Sequence, residues 1–159
     1  MKNKLETEEK VCAFYASDYH FEMITLPYVY KNIENKKDVV ILTENDLKST
    51  VSNLISKMNF KEDRKNDILN LDWKNNDLNK FRKIKENMDN NINTVVLVKG
   101  NENYIRNANK NLEKWIEQKH NLEIIDCYNI EEVGDRVDEI IGKYNKILKT
   151  SGEKNIIKK

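Results

Sequence analysis

His20 stands between two carboxylates, Asp18 two residues before it and Glu22 two residues after, with Ser17 alongside. A carboxylate that orients an imidazole makes an acid–base pair able to work near neutral pH. The plainer reading is a histidine in the first turn of a helix, structurally satisfied. Other chemistries are easier to weigh. A phosphate-cradling loop needs glycines for close backbone approach and a lysine for the charge. The run Ala16-Ser17-Asp18-Tyr19-His20-Phe21-Glu22 has neither, and its two carboxylates would repel a phosphate. The dinucleotide fingerprint is absent for the same reason. Cys12 lies inside an apolar run and reads as an inert thiol. Cys127 is the more accessible candidate, but the neighbouring Asp126 should raise its pKa rather than activate it. With only His20 and His120, a histidine-rich metal site is excluded, and no metal or cofactor is expected. His120 follows Lys119 at a helix end, where the dipole favours a cation.

These residues must be positioned by something, and the surrounding patterns say what. Val11–Ala16 is an apolar run of strand length, and about Phe21–Glu34 reads as a buried helix, kinked or restarted near Pro27. Asp38–Thr43 is a second strand, followed by Leu47, Val51, Leu54, Ile55 and Met58 on one helical stripe. Phe60–Asn66 reads as a polar connector and Asp67–Trp73 as a third strand. Leu78, Phe81, Ile84 and Met88 mark the next helix. Thr94–Val98 is the clearest β-branched strand. A helix follows with Tyr104, Ile105, Ala108, Leu112, Trp115 and Ile116 on its stripe, then a fifth strand at Leu122–Tyr128. Asn129 resembles a helix cap, opening a last helix through Val133, Val137, Ile140, Ile141, Tyr144 and Leu148.

Strand followed by helix, repeated, predicts one α/β domain of three layers. Its sheet should be mostly parallel and five-stranded, with helices on both faces. The domain should span 10–149, after a polar arm at 1–9 and before a flexible tail at 150–159. Val11–Ala16 and Thr94–Val98, the least polar strands, should lie centrally.

In such a sheet the loops after the strands converge, and ligands bind there. The candidate binding residues are therefore Tyr15, Ser17, Asp18, His20, Thr43, Glu44, Asn45, Lys99 and Asn101, with Asp72, Trp73, Asp126 and Cys127 at the remaining strand ends. Many would serve equally well as helix caps. Trp73 and Tyr104 either form a surface for association, a homodimer being the commonest arrangement, or close the core.

Composition narrows the classes. The chain has 159 residues, 35% of them charged, and a net charge of +1. That balance gives no bulk reason to expect nucleic acid or an anionic membrane as partner. The N-terminal residues lack the apolar stretch of a signal peptide and no run approaches a membrane span. Two distant cysteines make no disulfide framework, which fits a reducing cytoplasm.

One resemblance adds to this. Cys12-Ala13-Phe14-Tyr15-Ala16-Ser17-Asp18-Tyr19-His20, then Leu26-Pro27-Tyr28 and Val39-Val40-Ile41-Leu42-Thr43, resemble the opening of the MEDS domain over residues 11–45. MEDS domains are sensory domains of bacterial and archaeal regulators. The family resembles the RecA/KaiC type of ATPase core without a working phosphate loop. Tyr15, Ser17, His20 and Pro27 match its strand-end and helix positions. The resemblance implies strand order 5-1-4-3-2; the residues alone leave a flavodoxin-like 2-1-3-4-5 open. Its sensors are usually joined to a DNA-binding or kinase module, for which this chain has no room. The resulting expectation is a non-catalytic regulatory domain that binds a small ligand or a regulatory protein at the C-terminal edge of the sheet, without ATP hydrolysis. The alternatives are a small cytoplasmic enzyme using His20 with Asp18 or Glu22, and a structural interaction protein.

Overall fold

The computed structural model describes residues 10–118 and 121–156, for 116–118 the backbone alone. The expected arm at 1–9 and His120 lie outside the described residues, as does the side chain of Ile116.

Six segments form one sheet: β1 (Lys10–Tyr15), β2 (Asp38–Thr43), β3 (Thr94–Gly100), β4 (Leu122–Asn129), β5 (Lys146–Lys149) and β6 (Gly152–Asn155). Their order is β2-β3-β4-β1-β5-β6. The first five run parallel, and β6 returns antiparallel against β5. The chain is thus a single α/β domain with a mostly parallel sheet between two helical layers.

Strand alternation builds both cores. Val11, Ala13 and Tyr15 join Val39, Ile41, Val95, Leu97 and Ile125 on one face. There they meet α1 (Asp18–Glu34), α2 (Lys48–Ile55) and α3 (Glu62–Leu69). Cys12, Val40, Leu42, Val96, Val98 and Ile124 face the other way. They are covered by α4 (Asp77–Asp89), α5 (Glu102–Gln118) and the short α6 (Ile130–Val133) and α7 (Val137–Ile141). Strands apolar on both faces are what a doubly covered parallel sheet requires.

The expected strand at Asp67–Trp73 does not form. Residues 62–69 are helix α3, so the polar connector expected at Phe60–Asn66 is largely helical too. Only Ile68 of α3 is fully buried, and Trp73 beyond it folds back so that its Nε1–H donates to the Ile68 carbonyl at 2.8 Å. The tryptophan is 1% exposed and closes the core beneath α2 and α3, so it is not an association surface.

The last helix is also shorter than its stripe implied, and the missing strand lies here. After Gly142 and Asn145 the chain becomes β5, pairing Val11 with Lys146 and Cys12 with Ile147. The physical reason is the second edge of β1. A buried apolar strand leaves unpaired backbone groups there, and pairing them outweighs a 3.6-residue pattern. The tail is likewise not all loose, since 152–155 form an edge strand.

Numbered as they occur, the parallel strands run 5-1-4-3-2 from the hairpin edge. The order differs from the expected one in the segments that fill it, since 67–73 is not a strand and 146–149 is, and in a sixth strand at the edge. The flavodoxin-like order is not observed. Both strands expected to be central are interior, though β1 and β4 share the middle.

Helix α1 runs continuously through Pro27. Pro27 has no N–H for the carbonyl of Met23, so one helical hydrogen bond is missing rather than the helix ending. No described helix is long and apolar enough to cross a membrane.

Candidate functional site

Lys99 organises the C-terminal edge. It continues the β3 row of Val95 and Leu97, so its stem enters the core on the α1 face. Its ammonium lies 4.8 Å from the Tyr15 ring centroid and 5.3 Å from that of Phe21. The tip reaches the first turn of α1, where Nζ stands 2.9 Å from Asp18 Oδ1. It also donates to Asn45 Oδ1 at 3.3 Å. A long aliphatic stem with a charged head is what lets a lysine be 4% exposed here.

The neighbouring groups are also bonded to one another. Ser17 caps α1, its Oγ accepting from the His20 N–H at 3.1 Å. The Ala16 N–H donates to His20 Nδ1 at 2.8 Å. That bond places the ring proton on Nε2 and commits Nδ1 as an acceptor. Asp18 faces Lys99 instead of His20, and Glu22 is buried against the Thr50 hydroxyl. The expected orientation of His20 by Asp18 or Glu22 is therefore not formed: strand-end lysine and helix-packing threonine have taken the two carboxylates. Burial pushes the Glu22 carboxyl above its ordinary range, with Asp18 adding to the effect.

Thr43 Oγ1 donates to the Asn45 carbonyl at 2.9 Å and accepts from the Asn45 N–H at 3.3 Å, a tight polar turn. Glu44 Oε1 accepts from the Asn101 N–H at 2.8 Å. Asn101 Oδ1 then accepts from the Tyr104 N–H at 2.8 Å, capping α5. Gly100 permits this: a Cβ there would stand 2.7 Å from Glu44 Oε1 and 2.6 Å from Tyr104 Cδ2. The Tyr104 hydroxyl donates to the Asp77 carboxylate at 2.8 Å, so Tyr104 ties α5 to α4 rather than standing free for association.

The structure thus brings Tyr15, Asp18, Asn45 and Lys99 together, places Ser17 and His20 at the adjoining cap, and sets Thr43, Glu44 and Asn101 beside them. Asp72 and Trp73 do not join, because the strand that would have ended there is absent. Cys127 is fully buried, correcting its expected accessibility. Burial first, and the Asp126 charge second, raise its thiol well above the ordinary value. Burial likewise pushes the Cys12 thiol up to about 12. No group of three or more histidine, cysteine, aspartate or glutamate side chains among the described residues is placed to hold a metal ion.

A second polar centre lies on the other face and was not legible as a site. Asp126 sits within β4 rather than in a loop after it, and is 1% exposed. It accepts from the Tyr144 hydroxyl at 2.6 Å and from Asn109 Nδ2 at 2.9 Å. Tyr144 reads in the sequence as one more residue of a helical stripe, and Asn109 stands out by nothing. The one available signal was a carboxylate interrupting an apolar strand.

No family model, curated protein or solved structure matches the chain.

Proposed function

We propose that the chain is a non-catalytic sensory or regulatory domain of the cytoplasm, related to the MEDS type. It binds a small ligand or a regulatory protein at the C-terminal edge of the sheet and hydrolyses no nucleotide. The observation that carries this reading is the Lys99–Asp18 pair. In a scaffold with this strand order, the turn after β1 is where a phosphate would be cradled. Here an internal carboxylate occupies the helix N-terminus and an internal ammonium neutralises it. The turn supplies no glycine, and His20 is engaged with the backbone of its own loop.

What the edge does offer is a polar, hydrogen-bonded surface of Ser17, Glu44, Asn45 and Asn101, all exposed. Such a surface suits recognition by polar contacts. A domain of this kind conveys its state through a second copy of itself or another protein. Two buried free thiols accord with a reducing compartment.

The test is phosphate release from magnesium ATP and GTP by the wild type and by Lys99→Met, with thermal denaturation in parallel. No turnover is expected from either protein, and no nucleotide-induced shift that depends on Lys99. Turnover by the wild type that disappears in Lys99→Met would overturn the reading.

A further inference from the structure

Strand alternation puts Asp126 on a row with Leu122, Ile124 and Tyr128, in the apolar layer beneath α5. Burial raises its pKa, while the Lys10 charge and the bonds from Tyr144 and Asn109 act the other way. The Tyr144 hydroxyl lies 2.6 Å from that of Tyr128, which extends the polar floor. Over this floor opens a cavity of about 340 Å³, lined by α5, the segment that follows α7 and Lys10 of β1. That volume lies in the range of small-molecule sites.

Two features of its walls point to an occupant. The first is Asn109 Oδ1, which is buried and accepts no hydrogen bond. Its amide nitrogen donates to the Ile105 carbonyl and to Asp126, so the opposite amide orientation would set oxygen against two acceptors. A buried acceptor left without a donor costs about 1–3 kcal/mol. Oδ1 is enclosed as it stands, so a hydroxyl on a bound molecule would supply the donor by drawing the Asn109 amide toward the cavity.

The second feature is charge. Lys10, Arg106, Lys110 and Lys143 come from three separate parts of the fold to the same cavity. Arg106 and Lys110 are one turn apart on α5, and Lys143 stands on the other wall. Of the carboxylates there, Glu102 is held by Arg136. Glu113 and the buried Asp126 remain against four cations. Among the described residues no carboxylate lies within ion-pair distance of Lys110 or Lys143. This excess is local, since the whole chain carries a net charge of only +1.

We propose that this cavity binds a small phosphorylated polyol, its phosphate held by Arg106, Lys110 and Lys143 and a hydroxyl donating to Asn109 Oδ1. A dianionic phosphate matches the excess of cations, and charge-assisted bonds from guanidinium and ammonium groups are the strong ones. The site lies on the opposite face of the sheet from the ring-packed stem of Lys99, so it stands apart from the regulatory reading of the edge.

The test is calorimetric titration of the full chain with glycerol 3-phosphate and with n-propyl phosphate, which lacks the hydroxyls. The expected result is saturable binding of glycerol 3-phosphate and at least about fivefold weaker binding of n-propyl phosphate. Lys143→Glu, an exposed substitution away from the buried network, should weaken glycerol 3-phosphate about tenfold or more. Circular dichroism checks that this variant keeps its fold, and Arg106→Ala serves as an independent second variant. No saturation up to about 10 mM, equal binding of the two esters, or binding unchanged in both variants would overturn the proposal. Nucleotide turnover at the edge would defeat the regulatory reading and leave this one standing.

Discussion

Lys99 Nζ lies 2.9 Å from Asp18 Oδ1, so the third strand is pinned to the first turn of the first helix by an ion pair. The lysine is enclosed and the aspartate is 42% exposed on its side chain, which makes the pair unequal. Water screens the carboxylate but not the stem. Packing of that stem against Tyr15 and Phe21 therefore matters more to stability than the charge does.

Lys99→Met keeps the stem and removes the charge, and should change unfolding free energy by no more than about 1 kcal/mol. Lys99→Ala also removes the packing and should cost about 2–3 kcal/mol. Urea denaturation of the two variants separates the contributions. Equal losses would mean that charge, not packing, holds the strand end.

The crowding at Gly100 is equally specific. Gly100→Ala places a methyl within 3 Å of both Glu44 Oε1 and the Tyr104 ring. Glu44 can swing away, whereas Tyr104 is fastened to Asp77 through its hydroxyl. A loss of about 1–3 kcal/mol is expected in thermal or urea denaturation. Adding Tyr104→Ala to Gly100→Ala should relieve the ring clash, so the two substitutions should be non-additive.

Trp73 shows where the sequence was legible and where it was not. The strands at 38–43, 94–100 and 122–129 announced themselves by β-branched runs, and their helices by apolar stripes. Residues 67–73 carry apolar side chains too, but only Ile68 and Trp73 are fully buried, one from a helix and one from the turn beyond it. No local pattern distinguishes that from a strand. The same limit hid β5, whose Leu148 continued a helical stripe until the free edge of β1 decided otherwise. At the edge site, residue types and loop positions were readable, but the partners were not. Asp18 is two residues from His20 in sequence and bonds to Lys99, far along the chain. Trp73→Ala should cost about 3–5 kcal/mol, as removal of a buried indole does. Sedimentation below the unfolding transition should show the same mass as the wild type. A loss under about 1 kcal/mol with altered mass would return Trp73 to the surface.

Pro27 sits inside a seventeen-residue helix on its exposed side. Replacing it by alanine restores an N–H for the Met23 carbonyl and removes the ring's clash with the preceding turn. A helix-interior proline costs about 3 kcal/mol, offset by roughly 0.4–1 kcal/mol through the stiffer unfolded chain. Pro27→Ala should therefore stabilise by about 2–2.6 kcal/mol and raise Tm. A lowered Tm would show that the proline ring is built into the packing of α1.

The last prediction concerns pH and Asp126. Burial raises its folded-state pKa above the unfolded value, so the folded chain binds its proton more readily than the unfolded chain does. Stability from this group is then highest at acidic pH and declines as pH rises from the unfolded pKa through the folded one. Glu22 acts in the same direction, also through burial. Asp72 opposes them: burial works against its ionised form, but the Lys74 N–H first and the Lys80 charge next hold its pKa below the ordinary value, and that contribution is lost on acidification. The Asp126 term is isolated by comparing wild type with Asp126→Asn in urea at pH 7 and pH 5. The asparagine cannot titrate, and it can accept from only one of its two present donors, so it should be less stable at both pH values. The wild type should gain more, or lose less, than the variant between pH 7 and pH 5. An identical pH response in the two proteins would mean that Asp126 keeps one protonation state across that window in the folded and unfolded chains alike.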